Sequence, residues 1–288
     1  DVIARWAKNP LLALEDLPFR CADIYNAGIT RFEGDGYLML VTVVMLEGRC
    51  RLHVARSDDG RHFTVSDKPL MSAPDGTAAE IHESMGIRDP RITKLEDWFY
   101  ITYVADGDHG LRLGLARTKD FDSAEQLGYV SHVNTKNGAL FNRKIGDSYA
   151  LLTRPDPGSS IWIEYSYDLR YWGRGKVVMA PRGGHWDQDR IGAAGPPMEI
   201  DEGWLLIYYG VKETSAGPLC RLGAAILDRD DPSRVVRRSN IPILSPRERY
   251  ERIGDIPNVV FSCGQVLRAE DNVLELYYGG ADSCICLG

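Results

Sequence analysis

Paired apolar runs separated by short polar turns recur from end to end of the chain. They read NAGITRFEGDGYLMLVTVV from Asn26, GIRDPRITKLEDWFYITYVA from Gly86, NGALFNRKIGDSYALLTRP from Asn137, AGPPMEIDEGWLLIYYGV from Ala194 and PNVVFSCGQVLRAEDNVLELYYGG from Pro257. The turns inside the pairs, at Gly34, Glu96, Gly146, Asp201 and Glu270, are built from Gly, Asp, Glu, Ser and Asn, as hairpin turns require. Outer runs RLHVARSDDGRHF, RLGLARTKDFDSAEQ and IWIEYSYDLRYW follow the first three pairs, and their shared Ser/Thr-x-Asp turns are read as a structural edge. One supersecondary unit used five times predicts an all-β five-bladed β-propeller, a single domain over residues 1–288. In such a ring the first strand of every blade faces one central funnel, so residues distant in sequence meet there. Helical signal is confined to DDPSRVV after Asp228 and PRERYERIG around Arg247, and the polar stretch from Met71 to Ser84 is expected to loop beside the funnel.

Composition narrows the partners. At 288 residues and 44% hydrophobic the chain can bury a large core, and no apolar run approaches a membrane span. A formal charge of -7 with scattered Lys and Arg leaves no basic stripe for nucleic acid, so a small neutral or weakly charged substrate is expected. The six cysteines (Cys21, Cys50, Cys220, Cys263, Cys284 and Cys286) have neither zinc-site spacing nor the look of a disulfide framework. Reduced, buried thiols and a cytoplasmic location are expected, while the start at Asp1 is compatible with a removed Met or signal peptide. The histidines are dispersed, and no metal site is expected.

Nine phrases in order carry a more specific likeness: NPLL at Asn9, YNAG at Tyr25, GIRDPRI at Gly86, KNGALFNRKI at Lys136, TRP at Thr153, HWDQDRIGAAGPP at His185, GWLLIYYGV at Gly203, RLGAAILDRDDPSRV at Arg221 and GDIPNVVFSCG at Gly254. With them the chain resembles glycoside hydrolase family 130, the inverting β-mannoside phosphorylases and their hydrolytic relatives. On the residues alone, an Asp before Pro90 is a turn cap or a partner of Arg88 or Arg91. The resemblance instead implies that Asp89 is the general acid, which in this family delivers its proton to the glycosidic oxygen through a hydroxyl of the bound mannose.

Two nucleophiles are open to such an acid. Phosphate needs several cationic or hydrogen-bonding groups around a dianion, and by resemblance Asn26, Lys136 and Arg154 fit that set. Three positions depart from the family's phosphorylases: an expected Arg falls on Thr42, an expected His on Tyr209 and an expected Tyr on Cys220. Water needs a second carboxylate as base, about 6.5 to 9.5 Å from the acid, for which Glu213 and Asp255 are the candidates, with Glu83 and Asp187 behind them. The lost cations favour water, so a hydrolase cleaving β-linked manno-oligosaccharides ranks first. A phosphorylase releasing mannose 1-phosphate follows, and a non-catalytic sugar-binding propeller comes third. No cofactor is expected, inorganic phosphate being a co-substrate only for a phosphorylase. Aromatic faces and short polar side chains at inner-strand ends suit a pyranose, which adds Tyr25, Arg91, Tyr103, Asp106, Trp186, Asp187, Tyr209 and Asp282 to Asn26, Lys136 and Arg154 as candidate binding residues. Trp98, Trp162, Trp172 and Trp204 are read as packing between blades.

Overall fold

A computed structural model of the chain describes all residues except 35, 75, 77–79, 157 and 269. The expected Gly34 turn and the Met71–Ser84 loop therefore fall partly outside the described residues.

Among the described residues, twenty strands follow the hairpin pattern. The first blade holds β1 (Asp23–Arg31), β2 (Tyr37–Val44), β3 (Cys50–Ser57) and β4 (Thr64–Met71), each antiparallel to the next. The second holds β5 (Gly86–Leu95), β6 (Trp98–Asp106), β7 (Arg112–Thr118) and β8 (Glu125–Tyr129), and the third β9 (Thr135–Leu140), β10 (Tyr149–Pro155), β11 (Ile161–Ser166) and β12 (Gly173–Met179). In the fourth, β13 (Arg190–Ala193) and β14 (Met198–Ile200) share one edge of β15 (Gly203–Thr214), followed by β16 (Gly217–Leu227) and β17 (Val235–Arg238). The inner strand breaks between them at Pro196 and Pro197, which have no N–H for the ladder. The fifth holds β18 (Val260–Arg268), β19 (Val273–Gly280) and β20 (Cys284–Leu287).

Five apolar clusters lie between successive blades. Leu40, Ile92 and Ile101 belong to the one joining the first and second blades, and Leu113, Leu140 and Leu151 to the next. Phe141, Leu152, Trp204 and Leu206 join the third blade to the fourth, and Ile207, Leu222, Tyr278 and Cys286 the fourth to the fifth. The last cluster packs Leu12, Ile24, Met39, Tyr277 and Ile285, bringing the fifth blade back to the first. This circular arrangement is the five-bladed propeller. The N-terminal segment supplies the outer edge of the fifth blade, where Leu12 and Ile285 exchange backbone hydrogen bonds of 3.1 and 2.8 Å. Arg5 anchors that segment by donating from Nε and Nη2 to the two oxygens of buried Glu251 at 2.7 and 2.9 Å.

The inner strands approach closely around the axis. A Cβ on Gly28 would lie 2.6 Å from the Pro90 carbonyl oxygen, so only glycine lets β1 pass β5 at this height. The Ser/Thr-x-Asp turns form as expected, with the Ser57, Thr118 and Ser166 hydroxyls each accepting the N–H three residues on. Of the two expected helices, PRERYERIG yields a single turn, α1 (Arg249–Arg252), whereas DDPSRVV turns directly into β17. All six cysteines are buried and free, and Cys284 and Cys286 face the same side with sulfurs 3.8 Å apart. Among the described residues no helix is long and apolar enough to cross a membrane, and no group of His, Cys, Asp and Glu could hold a metal ion.

Candidate active site

Four inner strands, β1, β5, β9 and β18, break register, the last between Ser262 and Gly264. Bulges fall between Tyr25 and Ala27 in β1, between Arg88 and Arg91 in β5, and opposite Leu152 and Arg154 in β9. Asn26, Asp89 and Asn137 sit at these bulges with φ of 40°, 54° and 57°. An extra residue in the left-handed region turns a side chain out of the strand's two-residue alternation. Consecutive residues can then face the same side: Arg88 with Asp89, and Lys136 with Asn137, line one pocket of about 290 Å³ together with Asn26, Arg154, Arg190, Tyr209, Cys220 and Asp282. A second cavity of about 320 Å³ opens at the other end of the inner strands. Its acid, Glu199, is engaged by Arg143 at 2.7 Å, and it lacks the convergence of acids and free cations seen in the first.

Asp89 is the central carboxylate of the first pocket. Asn26 Nδ2 donates to its Oδ1 at 2.9 Å, and Arg88 Nη1 stands 3.7 Å from its Oδ2. Arg88 is itself held by Asp106, to whose Oδ2 it donates from Nε at 3.1 Å and Nη2 at 2.8 Å. Asp282 faces the same space and has a buried Oδ1 without a hydrogen-bond partner. Burial first, and then the charge of Asp89, push its carboxyl up to about 7.

The opposite wall is cationic. Arg154, almost wholly buried, donates from Nε to Asn137 Oδ1 at 3.1 Å, while its Nη1 has no hydrogen-bond partner and lies 3.6 Å from Asp156. Tyr209 donates its hydroxyl hydrogen to the same Asn137 oxygen at 3.0 Å. Its phenol is pushed up by burial, against the opposing charges of Arg154 and Arg190. This crowding depends on Gly192 of β13, where a Cβ would come within 2.5 Å of the Tyr209 ring and 2.6 Å of Asn137 Oδ1. Lys136 lies between the two walls, its pKa lowered by burial and then by Arg88, with Asp89 opposing. Burial pushes the Cys220 thiol up to about 12, so it forms a neutral wall.

Other residues singled out from the sequence lie elsewhere. Tyr25 stands beside the site, its hydroxyl 3.4 Å from Cys50 Sγ and its pKa raised by burial and then by Asp89. Arg91 is spent on the backbone, donating to the carbonyls of Ala194, Ala193 and Asp89. Tyr103 is packed in the cluster between the first two blades. Trp186 stacks on Tyr208 at 5.5 Å inside the fourth blade, and wholly buried Asp187 is gripped by Arg182 at 2.8 Å and Arg238 at 2.7 Å. Burial would raise the Asp187 carboxyl, but the hydrogen bond from Arg182 and the charge of Arg238 bring it below its ordinary value. Glu213 and Asp255 are exposed and do not line the pocket. Glu83 is buried against the Tyr129 hydroxyl at 3.1 Å. Thr42 is wholly buried and makes no part of the pocket wall. Arg190 and Asn137 are pocket residues that sequence reasoning passed over, and Arg88 was expected only as a partner of Asp89.

The chain as a whole is similar to known proteins. A family model described as β-1,4-mannooligosaccharide phosphorylase matches residues 12–288. A 1,2-β-oligomannan phosphorylase of Thermoanaerobacter sp. (strain X514) is 40% identical over 238 residues, 82% of this chain and 76% of the relative. A β-1,4-mannooligosaccharide phosphorylase of Ruminococcus albus is 32% identical over 296 residues, 100% of this chain and 88% of the relative. Among solved structures, the β-1,2-mannobiose phosphorylase of Listeria innocua in complex with β-1,2-mannobiose superposes with a TM-score of 0.87 at 28% identity, covering 98% of this chain and 95% of that one.

Proposed function

The chain belongs to glycoside hydrolase family 130, and from that premise we propose that it is an inverting β-mannoside phosphorylase acting on β-linked manno-oligosaccharides. One observation carries this reading: Lys136, Arg154 and Arg190 converge on the pocket that holds Asp89, whereas Glu213 and Asp255 lie outside it. The sequence-based preference for a hydrolase rested on lost cations. Arg190 and Arg88 offset that loss, and the exposed carboxylates leave water without its expected base. The similarity to phosphorylases of 40% and 32% identity supports the same choice.

In the proposed reaction a phosphate oxygen attacks the anomeric carbon from the Lys136, Arg154 and Arg190 side. The C1–O bond to the leaving sugar breaks as the new C1–O–P bond forms. The Asp89 proton passes, by way of a mannose hydroxyl, to the departing oxygen. Asp89 is left as a carboxylate facing Asn26 Nδ2 and Arg88. The three cationic groups neutralise the incoming dianion in a partly desolvated space, where such contacts act more strongly than in water. Asp282, with its unpartnered oxygen, is suited to a sugar hydroxyl. Phosphate serves as co-substrate, and the chemistry calls for no cofactor.

Initial rates against phosphate concentration test this reading in wild type, Lys136→Ala and Arg154→Ala. The expected result is saturable dependence on phosphate, with its KM raised about tenfold or more in each variant. A rate independent of phosphate in wild type would contradict it.

A further inference from the structure

The backbone of Asp89, as well as its side chain, is held by the neighbouring blade. The bulge in β5 removes the Asp89 N–H from the strand ladder, and this N–H donates to Thr42 Oγ1 at 3.1 Å. Thr42 lies wholly buried within β2, paired with Tyr25 on one side and Leu52 on the other. Its own hydroxyl hydrogen goes to the Asn26 carbonyl at 3.1 Å. Asn26 returns the contact, donating from Nδ2 to Asp89 Oδ1 at 2.9 Å. Thr42, Asn26 and Asp89 thus form a closed circuit across two blades. Arg91 Nη1 completes the grip by donating to the Asp89 carbonyl at 3.0 Å.

Two consequences follow from this circuit. With Oδ1 accepting an amide N–H, the acidic hydrogen of Asp89 falls to Oδ2. The left-handed conformation of a residue other than glycine also persists only where its surroundings over-determine it, and here the Thr42 hydroxyl is the contact that fixes the amide of that residue. A hydroxyl donates and accepts through one oxygen, whereas an arginine side chain only donates. An arginine in the place of Thr42 could not receive the Asp89 N–H.

We infer that Thr42 is a positioning residue that holds the bulge of Asp89 and thereby aims Oδ2 along the proton path, an inference that rests on the reading of Asp89 as general acid. The test compares wild type, Thr42→Val, Thr42→Ser and Asp89→Asn on two substrates with saturating phosphate. One is a β-mannobiose, whose leaving group needs a proton; the other is dinitrophenyl β-mannoside, whose leaving group does not. For Thr42→Val, kcat on mannobiose is expected to fall about tenfold or more, with both KM values within about threefold of wild type and a much smaller loss on the dinitrophenyl substrate. Thr42→Ser, which keeps the hydroxyl, is expected to stay within about threefold of wild type on both. Thermal unfolding reports whether each variant folds, and Thr42→Cys reads the same split should the valine variant not do so. Wild-type kcat in Thr42→Val, an equal loss on both substrates, or a serine variant as impaired as the valine one would each overturn the inference. Full mannobiose activity in Asp89→Asn would overturn the acid assignment itself. An inactive Asp89→Asn beside an unaffected Thr42→Val would remove only the role of Thr42.

Discussion

Tyr209 donates to Asn137 Oδ1 at 3.0 Å, and the same oxygen accepts Arg154 Nε at 3.1 Å. One carboxamide on the third blade's inner strand thus ties the fourth blade to an arginine whose Nη1 remains unpartnered in the pocket. Asn137→Ala removes both contacts and frees Arg154 to turn. The expected outcome is a phosphate KM raised about tenfold with a mannoside KM changed less than about threefold, read from initial rates with each substrate varied in turn. Equal changes in both would contradict a role confined to the anion.

Alkaline pH should weaken phosphate binding early. The pKa of Lys136 is lowered by burial and then by Arg88, and a lysine is charged only below its pKa. Its charge is therefore lost at lower pH than that of an ordinary lysine, and the phosphate KM should rise through that region. Lys136→Arg keeps the charge and should flatten the rise. An identical alkaline limb in wild type and Lys136→Arg would rule out this origin.

Asp282 should make the free protein less stable as pH rises. Its carboxyl is raised to about 7 by burial and then by Asp89, far above its value in an unfolded chain. Between those two values the native state holds a proton that the unfolded state has released, so unfolding free energy falls with increasing pH. The favourable contribution is full below the unfolded value and lost by the time pH has passed about 7. Thermal unfolding of wild type and Asp282→Asn from pH 4 to pH 8 should show the wild type losing ground steadily to the variant. Parallel curves would argue against a raised Asp282.

Asp187 offers a contrast between stability and catalysis. It is buried against Arg182, Arg238 and the Tyr208 hydroxyl, and Asp187→Ala leaves two cations and a phenol without their acceptor. Breaking a buried ion pair from one side costs on the order of 3–5 kcal/mol, which urea unfolding would detect. The kcat of the folded fraction should stay near wild type, because Asp187 lies outside the pocket.

The propeller was legible because each hairpin carries its own turn and its own apolar pair. Closure was less so, since the N-terminal segment has no strand pattern of its own and joins β20 through the Leu12 bridge, the Trp6 N–H on the Leu287 carbonyl and the Asn9 carboxamide. Within the site, Asp89, Asn26, Lys136, Arg154, Tyr209 and Asp282 meet in one pocket. Asn137 was not expected in the pocket and Arg88 was expected only as a partner of Asp89, although they stand beside Lys136 and Asp89. Strand alternation sends neighbours to opposite faces, and only a bulge lets both face the funnel. Trp186 and Asp187 looked like lining because an aromatic and a short polar side chain at an inner-strand end suit a pyranose. Of the two cations that hold Asp187, Arg238 lies 51 positions away and carries no local signal. The contact that Thr42 makes carries no local signal for a related reason: its side chain serves the backbone of Asp89, a residue 47 positions away.

Product identity bears most directly on the proposed phosphorolysis. Wild-type protein given β-1,2- or β-1,4-mannobiose should release α-mannose 1-phosphate and mannose in equal amounts when inorganic phosphate is present. It should release almost nothing without phosphate, and Asp89→Asn should abolish the reaction. Two equivalents of free mannose, formed equally fast with and without phosphate, would contradict phosphorolysis and return water to the role of nucleophile.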